Sequence, residues 1–158
     1  MTTITPNLWF DEQGLEAAEF YTSIFPHSRI MQVSHYGEAG PRPAGTVMTV
    51  AFELDGQPFV AINGGPEFTF DEAISFEITC ESQEEVDRYT ERLTADGGEQ
   101  GPCGWVKDRY GLSWQVVPRR LPELIGSGEG EAAQRVMAAM LKMRKIDVAE
   151  LERAAASA

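Results

Sequence analysis

Residues 47–63 read VMTVAFELDGQPFVAIN and carry the clearest local signal of the fold. Two runs with strand character, residues 47–54 and 57–63, flank the dipeptide Asp55-Gly56. Asp-Gly readily adopts the positive φ angles that a two-residue hairpin turn requires. The stretch therefore predicts an antiparallel β-hairpin.

The residues before the hairpin predict a strand, a helix and another strand. Residues 4–10 have strand character, with Pro6 favouring an edge or entry position. Apolar residues recur at helical spacing over residues 15–25, and Pro26 ends that run. Residues 29–36 predict a second strand. The first unit therefore has the order strand, helix, three strands.

The same order returns after residue 73. Residues 74–80 alternate apolar and polar side chains, as a half-buried strand does. Ser82 and Glu85 predict a capping box for a helix that Gly97-Gly98 ends. Three short strands are then expected over residues 99–101, 104–107 and 113–118.

The repeat defines an α+β fold of two tandem βαβββ units. We expect residues 1–121 to form one paired domain, with units at about 1–66 and 73–119. Residues 122–158 are rich in helix formers and predict a helical C-terminal extension of the same domain. The sequence leaves open whether this tail packs in cis or across a dimer.

Composition excludes several classes of function. The net charge of −12 opposes binding to a phosphate backbone or an anionic membrane surface. No segment approaches the roughly 20 apolar residues that span a bilayer, and the N-terminus has no secretory signal pattern. The two cysteines have no zinc-site spacing. We expect a cytoplasmic protein that contacts neither nucleic acid nor membrane.

Several runs resemble a known family. They are PNLWFDEQGLEAAEFYTSIFPHSRI, LDGQPFVAINGGPEFTFDEAISFEI, CGWVKDRYGLSWQVVP and RVMAAMLKMRKID. They are similar to the PhnB-like branch, often labelled 3-demethylubiquinone-9 3-methyltransferase-like, of the vicinal oxygen chelate superfamily. That superfamily includes glyoxalases, extradiol dioxygenases, fosfomycin-modifying enzymes and bleomycin-sequestering proteins. The resemblance implies a cup-shaped mixed sheet, a small-molecule ligand and a homodimer.

Metal-dependent members carry His, Gln or Glu ligands on the first and last strands of each unit. Hydroxyl, methyl and carboxamide side chains are poor ligands for a catalytic divalent metal. We therefore expect no metal and no cofactor. The corresponding positions here are Thr5, Ala61 or Asn63, Ser75 and Gln115.

Strand alternation predicts which side chains line the cup, and it places Trp114 on the face opposite Gln115, where it should pack under a helix. Glu77 is the candidate general acid or base, because a carboxylate among aromatic side chains can hold its proton. Alternatively, Glu77 lies at a solvated rim or pairs with Arg109. The expected ligand-binding residues are Asn7, Trp9, Phe59, Asn63, Ser75, Trp105 and Gln115, and the lining also includes Ala61, Ser113 and Val117.

These observations favour a small-molecule-binding protein of the superfamily that lacks the usual metal ligands, with an unknown ligand. The alternative is an enzyme of the same superfamily, a lyase, isomerase or transferase, including the family's methyltransferase label. It would use Glu77 or a non-standard metal site. A third reading, a purely structural or interaction role, predicts a cup that the protein's own side chains fill.

Overall fold

The computed structural model describes residues 1–157. The chain divides into two compact units, of which the first comprises Met1–Phe70 and the second begins at Asp71. Each unit contains one four-stranded sheet and at least one helix. The α+β class and the repeated βαβββ order are therefore confirmed.

The first unit contains four strands and one helix. Its sheet has the order β1-β4-β3-β2, in which β1 pairs with β4 in parallel and the other pairs are antiparallel. These elements are β1 (Asn7–Phe10), α1 (Gly14–Ile24), β2 (Arg29–His35), β3 (Val47–Leu54) and β4 (Gln57–Asn63).

The predicted hairpin joins β3 to β4. Leu54 pairs with Gln57 across the turn, and Asp55 and Gly56 have φ angles of 46° and 82°. Both turn residues thus occupy the left-handed region that a tight hairpin of this twist requires. The turn fixes the register of the two strands.

Helix α1 packs against β3 and β4 through aromatic side chains. Tyr21 of the helix is fully buried and lies 6.3 Å from the ring of Phe52, which stacks on Phe59 at 5.5 Å. Offset stacked rings add to the stabilisation that burial of their apolar area provides. This aromatic column holds the helix on one face of the sheet.

Asn63, at the end of β4, ties the sheet to the start of α1. Its Oδ1 accepts a hydrogen bond from the backbone N–H of Gly14 at 2.7 Å, and its Nδ2 donates to the carbonyls of Glu12 and Val47. The residue before the helix, Gln13, supplies no side-chain cap. Asn63 therefore satisfies a first-turn N–H that would otherwise lack a partner.

The second unit repeats the strand pairing of the first. Its sheet has the order β5-β8-β7-β6, with β5 and β8 parallel and the other pairs antiparallel. Helix α2 packs against all four strands of the sheet. These elements are β5 (Ser75–Cys80), α2 (Gln83–Thr94), β6 (Glu99–Gln100), β7 (Trp105–Lys107) and β8 (Ser113–Pro118).

The predicted N-terminal cap of α2 is present. The helix ends a few residues earlier than the sequence predicts. Ser82 Oγ accepts a hydrogen bond from the N–H of Glu85, and the Glu85 carboxylate accepts one from the N–H of Glu81. The helix ends at Thr94, before the Gly97-Gly98 pair. Gly97 instead takes a positive φ of 109° in the turn that follows.

Three helices follow the second sheet and pack on the same unit: α3 (Arg120–Ile125), α4 (Glu131–Met140) and α5 (Val148–Ala156). They share a buried apolar cluster with β8 that includes Val117, Val136, Ile146 and Leu151. Asp147 caps α5 by accepting a hydrogen bond from the N–H of Glu150.

Hydrogen bonds attach the segment before α5 to the loop before β7 and to helix α2. The N–H groups of Cys103 and Gly104 donate to the carbonyls of Met143 and Arg144 at 2.9 and 2.7 Å. The side chain of Gln83 donates to the carbonyl of Ile146 and accepts from the N–H of Val148. The tail is thus fixed to both α2 and the loop before β7.

Across residues 1–157, every helix is too short or too polar to pass through a bilayer.

Gly104 offers a test of how closely the tail approaches the sheet. Its φ is +83°, and a Cβ there would lie 2.8 Å from the Val116 carbonyl oxygen and 3.0 Å from Ile146. Gly111 has nearly the same φ, +86°, but open space around it. We expect Gly111→Ala to lower the free energy of unfolding by about 1 kcal/mol and Gly104→Ala by at least about 2 kcal/mol. Urea denaturation measures both, and equal losses would contradict the close contact.

Asn63 offers a second test, because its carboxamide is buried and makes three hydrogen bonds. We expect Asn63→Ala to lower the free energy of unfolding by about 3 kcal/mol, since buried backbone groups lose their partners. Asn7→Ala is the matched control, because Asn7 is exposed and, within residues 1–157, its side chain bonds just the nearby carbonyl of Thr5. Thermal or urea unfolding should show a clearly lower free energy of unfolding for Asn63→Ala than for Asn7→Ala. Similar values would contradict the structural role of Asn63.

Candidate functional site

The candidate site residues of the second unit lie on the sheet face that α2 does not cover, here called the distal face. Strand register arranges them in two rows that cross the strands. Side chains directly opposite each other on paired strands share one face of a sheet. The first row is Glu99, Lys107, Ser113 and Ser75, and the second is Trp105, Gln115 and Glu77.

Gln115 connects the two rows. Its Nε2 donates a hydrogen bond to Ser75 Oγ at 2.9 Å. This bond orients the carboxamide, so that Gln115 Oε1 remains an available acceptor. Trp105 lies directly beside Gln115 on β7, and Glu77 lies directly beside it on β5. The second row therefore presents an aromatic ring, a carbonyl oxygen and a carboxylate.

Ser113 lies at the centre of the first row. The residue is only 1% exposed, and its Oγ has no hydrogen-bond partner among the described residues. A buried hydroxyl without a partner carries a free-energy cost, because water no longer solvates it. Such a group is uncommon in folded proteins and suggests a position that a ligand atom can satisfy.

Charged groups surround this hydroxyl. Lys107, its neighbour on β7, forms an ion pair with Glu72 from the loop before β5. The hydrogen bond from Lys107 lowers the pKa of Glu72 and raises that of Lys107. Glu99 lies opposite Lys107 on β6. Because these groups are largely exposed, water weakens their individual interactions.

A cavity of about 450 Å³ adjoins the distal face. It is bounded by β6, β7, the start of β8 and the loop that carries Glu72. Trp105, Lys107 and Ser113 belong to both the cavity and the rows described above. The lining residues are Glu72, Glu99, Gln100, Gly101, Pro102, Trp105, Val106, Lys107 and Ser113.

The opposite face of this sheet is structural. Trp114 is buried under α2, as strand alternation predicts, and its Nε1 donates to Asp108 Oδ2 at 2.9 Å. Asp108 also accepts from the N–H groups of Tyr110 and Leu112, so this buried carboxylate organises the turn before β8. Burial also raises the pKa of the Cys80 thiol to about 12, which keeps it protonated at neutral pH.

In the first unit, Asn7 and Trp9 lie on the face away from α1. Asn7 is exposed, and Trp9 is partly buried. The indole N–H of Trp9 donates to the Gly65 carbonyl at 2.9 Å, and its ring meets Phe68 edge to face at 5.0 Å. A Cβ at Gly64 would come within 2.3 Å of that ring, so only glycine fits there.

The prediction that Phe59 and Asn63 share a face with Asn7 and Trp9 is wrong. Asn7 lies opposite Val60 and Trp9 opposite Ile62 in the parallel register of β1 and β4. Phe59 and Asn63 therefore point to the other face, where Phe59 stacks on Phe52 and Asn63 holds Gly14. Alternation gives the faces within one strand, but the register between strands decides which faces coincide.

The second unit brings together the other predicted residues. Ser75, Glu77, Trp105 and Gln115 all lie on the distal face. Among residues 1–157, Glu77 makes no ion pair, and Arg109 pairs with Asp96 at 2.9 Å. Sequence reasoning missed Glu72, Glu99 and Lys107. Strand alternation could have found Lys107, which lies two residues after Trp105 on the same strand. The position of Glu72 depends on the path of a loop.

The described residues contain no cluster of three or more His, Cys, Asp or Glu side chains that could hold a metal ion. Ser75 and Gln115, two of the positions that the resemblance compares with metal ligands, hydrogen-bond to each other.

Comparison with known proteins identifies the relatives of this chain. A family model described as 3-demethylubiquinone-9 3-methyltransferase matches residues 2–117. The PhnB protein from Bacillus cereus is 37% identical, with a TM-score of 0.65 over 74% of this chain and 99% of that one. No curated protein matches the chain.

Two more distant structures share the fold. A protein from Pseudomonas aeruginosa is 20% identical, with a TM-score of 0.61 over 75% of this chain and 98% of that one. The fosfomycin resistance protein FosX from Listeria monocytogenes is also 20% identical, with a TM-score of 0.53 over 77% and 94% of the two chains. The repeated βαβββ order, the matched region and the Bacillus cereus relative agree: the chain belongs to the 3-demethylubiquinone-9 3-methyltransferase family, the PhnB-like branch of the vicinal oxygen chelate superfamily.

Proposed function

We propose that this protein binds a small, partly apolar organic molecule on the distal face of its second sheet, without a metal ion. The observation that carries this proposal is the position of Trp105. Its side chain lies beside the hydrogen-bonded Gln115–Ser75 pair and also borders the 450 Å³ cavity. An aromatic wall beside a few oriented polar groups is typical of small-molecule sites.

The size of the cavity supports a ligand of modest dimensions. Pockets for small molecules commonly measure about 300–1,000 Å³, and this cavity lies in the lower half of that range. Trp105 and Pro102 supply apolar surface, while Ser113 supplies a buried hydroxyl that needs a partner. A ligand that covers Trp105 and hydrogen-bonds to Ser113 would satisfy both.

The donor chemistry supports binding without a metal. Catalytic divalent ions favour at least three imidazole, thiolate or carboxylate ligands. Thr5 and Ser75 offer hydroxyls, Gln115 offers a carboxamide, and Ala61 and Asn63 face α1. Such side chains recognise a ligand through hydrogen bonds rather than through a coordinated ion.

One observation favours a second candidate function, catalysis with Glu77 as general acid or base. Glu77 lies directly beside Gln115 on the distal face and is exposed, so its carboxylate can reach a ligand held there. General acid–base groups must lie within hydrogen-bond reach of the proton they transfer. Once a ligand is known, Glu77→Gln should abolish turnover and preserve binding if Glu77 is catalytic. Unchanged turnover would exclude that role.

The proposal predicts that ligand binding depends on Trp105. We expect a screen of small aromatic and dicarbonyl compounds by thermal shift to find stabilising ligands, because a compound that binds only the folded protein raises its melting temperature. Trp105→Ala should weaken the binding of any such aromatic compound about tenfold or more, while Trp105→Phe should retain most of it.

Phe68→Ala is the matched control, because it truncates an exposed aromatic side chain of the first unit that does not line the cavity. It should leave the affinity unchanged. A ligand whose affinity is equal in the wild type and in Trp105→Ala would place the binding site elsewhere and overturn the proposal.

A further inference from the structure

The charges on the distal face point to the kind of ligand that fits there. Three carboxylates, those of Glu72, Glu77 and Glu99, lie on or beside this face, against the single ammonium group of Lys107. Lys107 forms an ion pair with Glu72 and is attracted more weakly by Glu99, while Glu77 has no ion-pair partner among the described residues. The overall charge of −12 adds a long-range field of the same sign.

Two side-chain amides of the site also favour a ligand that donates hydrogen bonds. Because Gln115 donates its N–H to Ser75, the group it leaves available is the carbonyl oxygen Oε1. Gln100 in the cavity wall likewise uses its side-chain N–H group on the carbonyls of Gly101 and Trp105. Both amides therefore leave an acceptor available, and a ligand that donates hydrogen bonds complements them.

Two further groups suit a positively charged donor. Trp105 is the aromatic side chain of the distal face, and indole is the best natural partner for an organic cation. The Ser113 hydroxyl, 1% exposed and without a partner, lines the same cavity and can accept a hydrogen bond from an ammonium group. This buried hydroxyl is an observation independent of the carboxylates, and a ligand atom could supply its missing partner.

We propose that the ligand of this site is an organic cation, a protonated amine carried on an aromatic or aliphatic body. The inference rests on the proposed function and deepens it. The ammonium group lies over Trp105, near Glu99, and donates to Gln115 Oε1 or Ser113 Oγ, while the apolar body covers the ring and Pro102. Glu72 and Glu99 offset the positive charge of Lys107, and the Arg144 guanidinium, the other cation beside this wall, is bonded to the carbonyl of Gln100.

Three probes of nearly the same shape test the sign of the ligand charge. They are 2-phenylethylamine, a cation at pH 7, 2-phenylethanol, which is neutral, and phenylacetate, an anion. Nuclear magnetic resonance titration of the full chain, observing the indole N–H of Trp105 assigned with Trp105→Phe, reports binding at this site. We expect the amine to bind about tenfold more tightly than the alcohol, and phenylacetate to bind most weakly. Added salt should reduce the advantage of the amine.

Glu99→Gln should bring the affinity for the amine close to that for the alcohol. Glu91→Gln is the matched control, because Glu91 is exposed on α2, on the other side of the sheet, and the net charge changes equally. It should preserve the preference for the amine. If Glu99→Gln does not fold, as judged by thermal unfolding, Glu99→Thr, which removes the same charge and suits a strand, replaces it, and we expect the same loss of preference.

The possible results separate this inference from the proposed function. Equal affinities for the amine and the alcohol, or a preference for phenylacetate, would overturn the cationic ligand and leave small-molecule binding at Trp105 intact. A Trp105 signal that none of the probes shifts would count against the binding site itself, and the present inference would fail with it. A preference for the amine that Glu91→Gln removes as fully as Glu99→Gln would show a general charge effect and would also overturn it.

Discussion

The first and last strands of each unit pair in parallel, and this pairing determines which side chains meet on each face of the sheet. In the second unit it places β5 beside β8, so that side chains 40 residues apart, those of Ser75 and Gln115, form a hydrogen bond. The same pairing sends Trp114 and Cys80 under α2 and leaves Glu77 on the distal face. The helix between the strands makes this geometry possible, because parallel strands require a crossover connection.

Much of this arrangement could be predicted from local patterns. Asp55-Gly56 specified the hairpin, Ser82 specified the start of α2, and alternation separated Gln115 from Trp114 correctly. These signals succeed because they concern neighbours in sequence, for which backbone geometry alone decides the outcome. The fold follows from such signals, supported by the repetition of their order.

The site could be predicted only in part, because two of its determinants are not local. The face of Phe59 and Asn63 depends on the register between β1 and β4, and a difference of one residue moves a side chain to the opposite face. The position of Glu72 depends on a loop whose path the sequence does not specify. The buried state of Ser113 likewise results from packing around it, since an isolated serine in a strand is normally solvated.

The attachment of the C-terminal helices links parts of the molecule that are far apart in sequence. The carbonyl oxygen of Arg144 accepts a hydrogen bond from the N–H of Gly104. The guanidinium group of Arg144 donates one to the carbonyl of Gln100. Gln100 and Gly101 form one wall of the cavity. The tail therefore shapes a recognition surface that it does not line. Relatives that differ in this segment can diverge in ligand preference even where every cavity residue is the same, so the tail is a place where specificity can evolve.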